Sequence, residues 1–318
     1  MSRSDVRSDH GWFKQLFESS PDPTWIIDGS RFVECNEAAI RALGYTSREE
    51  LLNFHPSQLS PPKQPDGQDS YDKAESMMAI ARDSGLHRFE WIHTKANGTN
   101  FVAEVTLSII DPVDRQVIYC VWRDITERKQ MEDQVRQLAF YDPLTQLPNR
   151  RLLTDRLNQA MAASKRSVCY AALLFLDLDN FKPLNDMHGH VAGDFLLIEV
   201  ADRLKNFVRE TDTVARFGGD EFVLILSDLN TDEAKATSQA ESVAEKIRVR
   251  LSEPYLLTIK REGKADATVE HQCAVSIGVA LFINHEASPD DILKWADTAM
   301  YQAKAEGRNL IRFYDSRA

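Results

Sequence analysis

The stretch RFGGDEF, Arg216 to Phe222, places two glycines and two carboxylates between the apolar runs Thr213–Ala215 and Val223–Leu226. Such flanks read as the two strands of a hairpin, with Gly218 and Gly219 as a two-residue turn where positive φ is required. Bare glycine backbone also lets a ligand approach closely. Two acids after a tight turn are ordinarily solvated, but a companion stretch changes that reading. Asp177 closes the apolar run Val168–Leu176, so another acid stands at a strand's carboxyl end, facing Asp220 and Glu221. Oxygen ligands grouped in this way suit magnesium. The chain continues through Asn180, Phe181 and Lys182 into a helix expected to begin near Pro183, and free amides at such a junction hold phosphate. Acids for magnesium beside amides for phosphate describe a nucleoside triphosphate site.

These groups need a scaffold. Val168–Leu176 is almost uninterruptedly apolar, as expected for a strand buried on both faces. After it come a helix from Phe195 to about Phe207, the hairpin, a long helical stretch Asp232–Leu251, a strand at Ala274–Phe282 and a helix at Asp290–Ala305. This alternation predicts an α/β sandwich around a partly antiparallel sheet. Before residue 125 the pattern differs. Short strands at Thr24–Ile27 and Arg31–Cys35 are followed by helical patterns at Glu37–Leu43 and Arg48–Leu52 and by a loop-like region from Ser57 to Asp69. Three further strand patterns follow, at Arg88–Thr94, Phe101–Ile110 and Val117–Asp124. Between the two regions, ITERKQMEDQVRQLAFYD reads as one helix whose Met131, Val135 and Leu138 form a coiled-coil seam, or else an amphipathic face packed on its own domain.

At 318 residues the chain has room for about two domains. Its net charge of −11 is shared: residues 1–140 carry 16 basic and 22 acidic side chains, residues 141–318 carry 22 and 27. Neither half has the basic stripe of a non-specific nucleic-acid binder. The N-terminus lacks the apolar core of a signal peptide and no apolar run is long enough to span a bilayer, so a cytoplasmic protein is expected. Cys35, Cys120, Cys169 and Cys273 are scattered, which fits reduced thiols and offers no zinc site.

The N-terminal pattern, with FESSPDPTWIIDGS at its start and VWRDITERK at its end, resembles the PAS domain family over residues 12–125. The resemblance implies a five-stranded antiparallel sheet whose helices wall a small pocket, used for sensing or dimerisation. No flavin-binding cysteine motif is present. His55, His87 and His93 are candidate heme ligands, although a lone histidine is more often an ordinary surface or core residue. The ligand stays open.

The C-terminal motifs are more specific. DPLTQLPNR (Asp142–Arg150), DLDNFKPLNDMHGHVAGD (Asp177–Asp194), RFGGDEF and YQAKAEGRN (Tyr301–Asn309), in this order and spacing, resemble the GGDEF family of diguanylate cyclases over residues 141–318. Residues 126–140 are then a helical signalling linker, and the whole is an α/β (α+β) chain with a PAS sheet domain joined to a palm-like cyclase domain. The resemblance implies condensation of two GTP molecules into cyclic di-GMP by a homodimer, each domain holding one nucleotide. It assigns two magnesium ions to Asp177, Asp220 and the Leu178 carbonyl, with Glu221 as a further ligand or base. Asn185 and Asp194 read guanine; Lys182, Lys304 and Arg308 neutralise the β and γ phosphates. Gln146 stands where glycine is common and Asn180 where an aromatic is frequent, and neither departure removes a role. Arg209 and Asp212 in RETD match the family's product-inhibition site, although an exposed ion pair would read the same. A non-catalytic receptor or scaffold is the alternative, opposed by the intact Asp177, Gly218, Gly219, Asp220 and Glu221.

Overall fold

The computed structural model describes residues 9–111, 116–259, 267–283 and 287–315. The chain divides near residue 133 into two compact units.

In the first unit, α1 (Asp9–Ser19) precedes β1 (Thr24–Asp28) and β2 (Arg31–Cys35), then α2 (Glu37–Leu43), α3 (Ser70–Ser84), β3 (Leu86–Thr94), β4 (Asn100–Ile110) and β5 (Val117–Asp124). The strands form one antiparallel sheet in the order β2-β1-β5-β4-β3. Trp25, Phe32, Trp91 and Trp122 fill its core with the apolar sides of α2 and α3. One local expectation needs correction. Arg48–Leu52 is not a helix: the Arg48 carbonyl accepts from the Leu51 and Leu52 amides in a turn, and Asn53 at φ 69° closes it. Between the loop and the three later strands stands α3, where the sequence reading placed no element. Asp69 caps its first turn, Gly85 ends it in a left-handed conformation, and Ala74, Met78 and Ala81 recur at spacings of four and three on its buried face.

Helix α4 (Thr126–Phe140) spans the division between the units and buries none of its side chains; Met131, Val135 and Leu138 are 52%, 66% and 70% exposed.

The second unit continues with α5 (Arg150–Ser167), β6 (Ala171–Asp179), α6 (Phe181–His188), α7 (His190–Lys205), β7 (Thr213–Gly218), β8 (Glu221–Leu226) and α8 (Glu233–Leu251). It ends with β9 (Tyr255–Ile259), β10 (Ala267–His271), β11 (Ala274–Phe282), α9 (Pro289–Ala305) and β12 (Ile311–Phe313). The main sheet runs β12-β11-β6-β8-β7, antiparallel except for the parallel β11–β12 pair, and β9–β10 form a separate hairpin. All nine residues of β6 are buried. Its even-numbered side chains, Ala172 to Leu178, join a core with α7 and α8; the odd-numbered Ala171, Leu173 and Phe175 join another with α5 and α9. Strand alternation therefore turns Asp177 and Asp179 toward the face that carries α9.

The strand starts three residues later than expected because Val168, at φ 57°, is the left-handed cap of α5. Further on, α6 begins at Phe181 rather than near Pro183, and α7 at His190, directly after Gly189 at φ 82°. The hairpin turn is also offset by one residue. Gly218 ends β7 opposite Glu221, so the two turn residues are Gly219 and Asp220, and of the glycine pair only Gly219 has positive φ, at 52°.

Candidate functional site

Register brings the acids together. Asp177 on β6 pairs with Glu221 on β8, and the Leu178 amide donates to the Asp220 carbonyl at 3.3 Å. On β8, Phe222 and Leu224 face one core while Val223 and Ile225 face the other, so Glu221 shares the α9 side of the sheet with Asp177. From the last turn of α9, Lys304 reaches Asp177 Oδ2 at 2.6 Å. Asp220 is half-buried in the turn and Asp177 is buried.

This crowding is visible in the acids' proton affinity. Burial raises the Asp177 pKa, and Asp220 and Asp179 add to the rise against the opposing pull of Lys304. Burial likewise raises Glu221, reinforced by Asp177, Asp297 and Asp220. An acid whose pKa is raised by folding stabilises the fold when protonated and destabilises it once ionised. The loss therefore begins above the ordinary values of 3.8 and 4.5 and is complete above the raised ones. Without a divalent cation, Glu221→Gln is expected to melt higher than the parent at pH 7, with the gap closing toward pH 4. Magnesium should raise the parent's melting temperature at pH 7 more than the variant's. A gap that does not change with pH would show that the carboxylate is not strained.

Among the described residues no three His, Cys, Asp or Glu side chains form a ready-made metal cage. Magnesium is bound through one or two carboxylates together with substrate phosphates. The donor set of buried Asp177, Glu221 and the turn acid Asp220 fits such an ion.

Around this centre stand the other groups. Asn180, at φ 61° and ψ 28°, precedes α6 without capping it through its side chain, which leaves the first-turn amides for an anion. Lys182 is exposed beside them. One turn into α6, Asn185 packs on Gly193 of α7 so tightly that a Cβ there would lie 2.1 Å from Asn185 Oδ1 and 2.9 Å from the Phe181 ring. That Oδ1 is buried with no hydrogen-bond partner, and Asp194, exposed, follows Gly193. Arg308, with its side chain 57% exposed, sits 3.9 Å from Asp179.

Two participants escaped the sequence reading. Asp179, two residues from Asp177 and on the same face, is 3% exposed; Ser276 Oγ donates to its two oxygens at 2.9 and 3.1 Å, and the Asn309 amide donates at 3.0 Å. The LDLD alternation was the available signal. Arg216 is the other. It donates to the Gly219 carbonyl at 3.0 and 2.8 Å and to both Asp142 oxygens at 3.0 and 3.1 Å. Asp142 also accepts from the Thr145 amide and hydroxyl. Burial works against the Asp142 charge, but the Thr145 and Arg216 hydrogen bonds together hold its pKa below the usual value. The DPLT stretch thus buttresses the turn.

Arg209 and Asp212 lie elsewhere. They precede β7, whose six residues separate them from the Gly219 turn by roughly 20 Å. No ion pair links them: Asp212 accepts from the Arg209 and Ser227 amides, each at 3.2 Å. Both line a cavity of about 330 Å³ with Ser227, Ser242 and Lys246.

In the first unit, a cavity of about 30 Å³ is lined by Phe32, Met78, Trp91, His93 and Trp122, among others. His93 stacks on Trp122 at 3.6 Å with Nδ1 3.2 Å from the Leu59 carbonyl, and burial pushes its pKa down to about 3. His55 contacts Ser57 and Glu75, and His87 contacts Met77. A macrocycle needs a pocket of several hundred Å³, so this geometry does not fit heme.

A family model for the diguanylate cyclase GGDEF domain matches residues 139–310, and one for the PAS domain matches residues 21–127. The chain is 46% identical over 180 residues to the bifunctional diguanylate cyclase/cyclic di-GMP phosphodiesterase MucR of Pseudomonas aeruginosa, covering 57% of this chain and 24% of MucR. It is 30% identical over 309 residues to the diguanylate cyclase DgcM of Escherichia coli K12, covering 96% of this chain and 69% of DgcM. The crystal structure of the GGDEF domain of TpbB (YfiN) from Pseudomonas aeruginosa is 36% identical, with a TM-score of 0.47, covering 54% of this chain and 98% of that one.

Proposed function

This chain belongs to the GGDEF family of diguanylate cyclases and carries a PAS domain ahead of its GGDEF domain, and on that footing we propose that it joins two GTP molecules into cyclic di-GMP with release of two pyrophosphates. The observation that carries the reading is the pairing of Asp177 with Glu221 beside the turn acid Asp220, with Lys304 and Arg308 arriving on the same side from the end of α9. Asp177, the Leu178 carbonyl, Asp220 and Glu221 would hold magnesium. Bound there, magnesium polarises triphosphate oxygens and lowers the pKa of the 3′-hydroxyl. The α6 amides, Lys182, Lys304 and Arg308 receive the triphosphate charge. The buried, unpartnered Asn185 Oδ1 supports guanine recognition, since N1–H and the N2 amine are donors, and Asp194 adds a charged acceptor beside it.

Each domain would hold one GTP, and each 3′-hydroxyl would attack the α-phosphate of the other nucleotide, so turnover needs two copies. The exposed Met131, Val135 and Leu138 stripe on α4 supports pairing through residues 126–140. We assign residues 12–125 to a sensor acting through that helix on a cyclase domain at 141–318. No helix among the described residues is long and apolar enough to cross a membrane, and the proposed place of action is the cytoplasm. Arg209 and Asp212, remote from the turn, form a product site: arginine offers a bidentate pair to phosphate or guanine.

The test is a progress curve with GTP and magnesium at falling protein concentration. Cyclic di-GMP should form, specific activity should drop on dilution, and Arg209→Ala should keep the initial rate while losing the late slowing. Under the same conditions Asp194→Ser should narrow the preference for GTP over ATP. Binding of GTP without product would instead mark a receptor.

A further inference from the structure

Arg308 and Asn309 follow Gly307 at the end of α9 with φ of 64° and 50°. Two successive left-handed residues other than glycine are unfavourable and persist only where their surroundings hold them. The holding groups come from three elements. The Asn309 amide donates to Asp179 Oδ2 at 3.0 Å, the Arg308 amide to the Ala303 carbonyl at 3.1 Å, and Arg248 of α8 donates to Asn309 Oδ1 at 2.9 Å. Of these partners, Asp179 alone carries a negative charge. Its side chain is 1% exposed, and Ser276 Oγ fixes the carboxylate plane from β11. The nearest guanidinium is that of Arg308, at 3.9 Å, which is too long for a direct hydrogen bond and leaves most of the arginine side chain in solvent.

We infer that Asp179 is a positioning residue: it touches neither nucleotide nor metal, but its carboxylate holds the left-handed Arg308–Asn309 segment and steers the Arg308 guanidinium toward the triphosphate. The inference rests on the cyclase reading, in which Arg308 meets the β and γ phosphates. A buried carboxylate whose cationic neighbour stands 3.9 Å away, mostly in solvent, is costly unless hydrogen bonds compensate it; here one of those bonds goes to the backbone that carries the phosphate-binding arginine. Asp177, two residues earlier on the same face, pairs with Lys304 instead. The two acids of LDLD therefore divide the work, one at the reaction centre and one behind the phosphate arm.

The test uses the full chain and 3′-deoxy-GTP, which lacks the attacking hydroxyl and so binds without turning over, with 3′-deoxy-GMP as the control lacking β and γ phosphates. Asp179→Asn and Arg308→Ala should each weaken 3′-deoxy-GTP binding about tenfold, the size of one lost charge-assisted contact. The double variant should be no weaker than Arg308→Ala, and binding of 3′-deoxy-GMP should not change. A purely structural role would lower affinity for both nucleotides together with the melting temperature. Additive losses, or an Asp179→Asn affinity equal to the parent's, would overturn the inference while leaving the cyclase reading intact. A parent that binds neither nucleotide would overturn both. Should Asp179→Asn not fold, Ser276→Ala, which frees the carboxylate without removing it, should show the same selective loss to a smaller degree, and no loss would count against the proposal.

Discussion

Asp220→Ala is expected to lower cyclic di-GMP formation by about a thousandfold or more, because a lost metal ligand removes several kcal/mol of charge stabilisation at the transition state. Glu221→Ala should do the same. Neither change should unfold the protein. Asp220 occupies a turn, half-buried, and the turn itself is held by Arg216 through the Gly219 carbonyl, which the substitution leaves in place. Removal of a side chain in such a position ordinarily alters stability by about 0.5 kcal/mol or less. The measurement is initial rate with GTP and magnesium alongside a urea midpoint for each variant. Parent-like turnover in either would sink the metal-site reading, and a large fall in midpoint would mean that the lost rate reports unfolding.

A second large effect is expected far from any acid. Gly278 lies in the middle of β11, where α9 crosses so closely that an added Cβ would stand 2.0 Å from the Ala296 carbonyl oxygen and 2.2 Å from the Met300 amide nitrogen. Both are backbone atoms of the helix and cannot rotate away. Gly278→Ala must therefore push α9 off the sheet, at a cost of about 3 kcal/mol or more, the upper end of overpacking penalties. Because α9 carries Lys304 in its last turn and leads on to Arg308, the same displacement should withdraw both cations from Asp177 and Asp179. Lower denaturation midpoint and lower turnover should appear together. A variant with the parent's midpoint and activity would show that the helix accommodates the methyl group without moving.

Much of the site could be read along the chain because its parts repeat local rules. The apolar β6 run ending in acids, the GGDE turn and the basic residues four apart at the end of α9 are short patterns with their own physical meaning. Where the reading slipped, a local signal had been passed over or misplaced. Helix α3 has a capping Asp69, a terminal Gly85 and a narrow buried stripe, but most of its surface is polar, and the sequence reading placed no element between the loop and the strand after it. The hairpin turn moved by one residue because a β-bulge between Arg216 and Gly218 shifts the register, which glycine content cannot reveal. The start of β6 moved because Val168 adopts a left-handed cap that β-branched residues seldom occupy.

By itself, then, the amino-acid sequence determined the two-part organisation, the alternation that turns Asp177 and Glu221 to one side of a sheet, and the family to which the chain belongs. The tertiary structure decided which groups meet across long separations. Arg216 finds Asp142 74 residues away, and Asp179 receives the Asn309 amide from 130 residues away. Lys304 closes on Asp177, and Gly193 and Gly278 mark where neighbouring backbone or side chains leave no room for a methyl group. Periodicity and capping are properties of a few successive residues and so are written in their order. Register between strands, and the depth at which a helix seats on them, arise only when distant segments pack together, and it is these that make Asp179 a support for Arg308 rather than one more acid in a row.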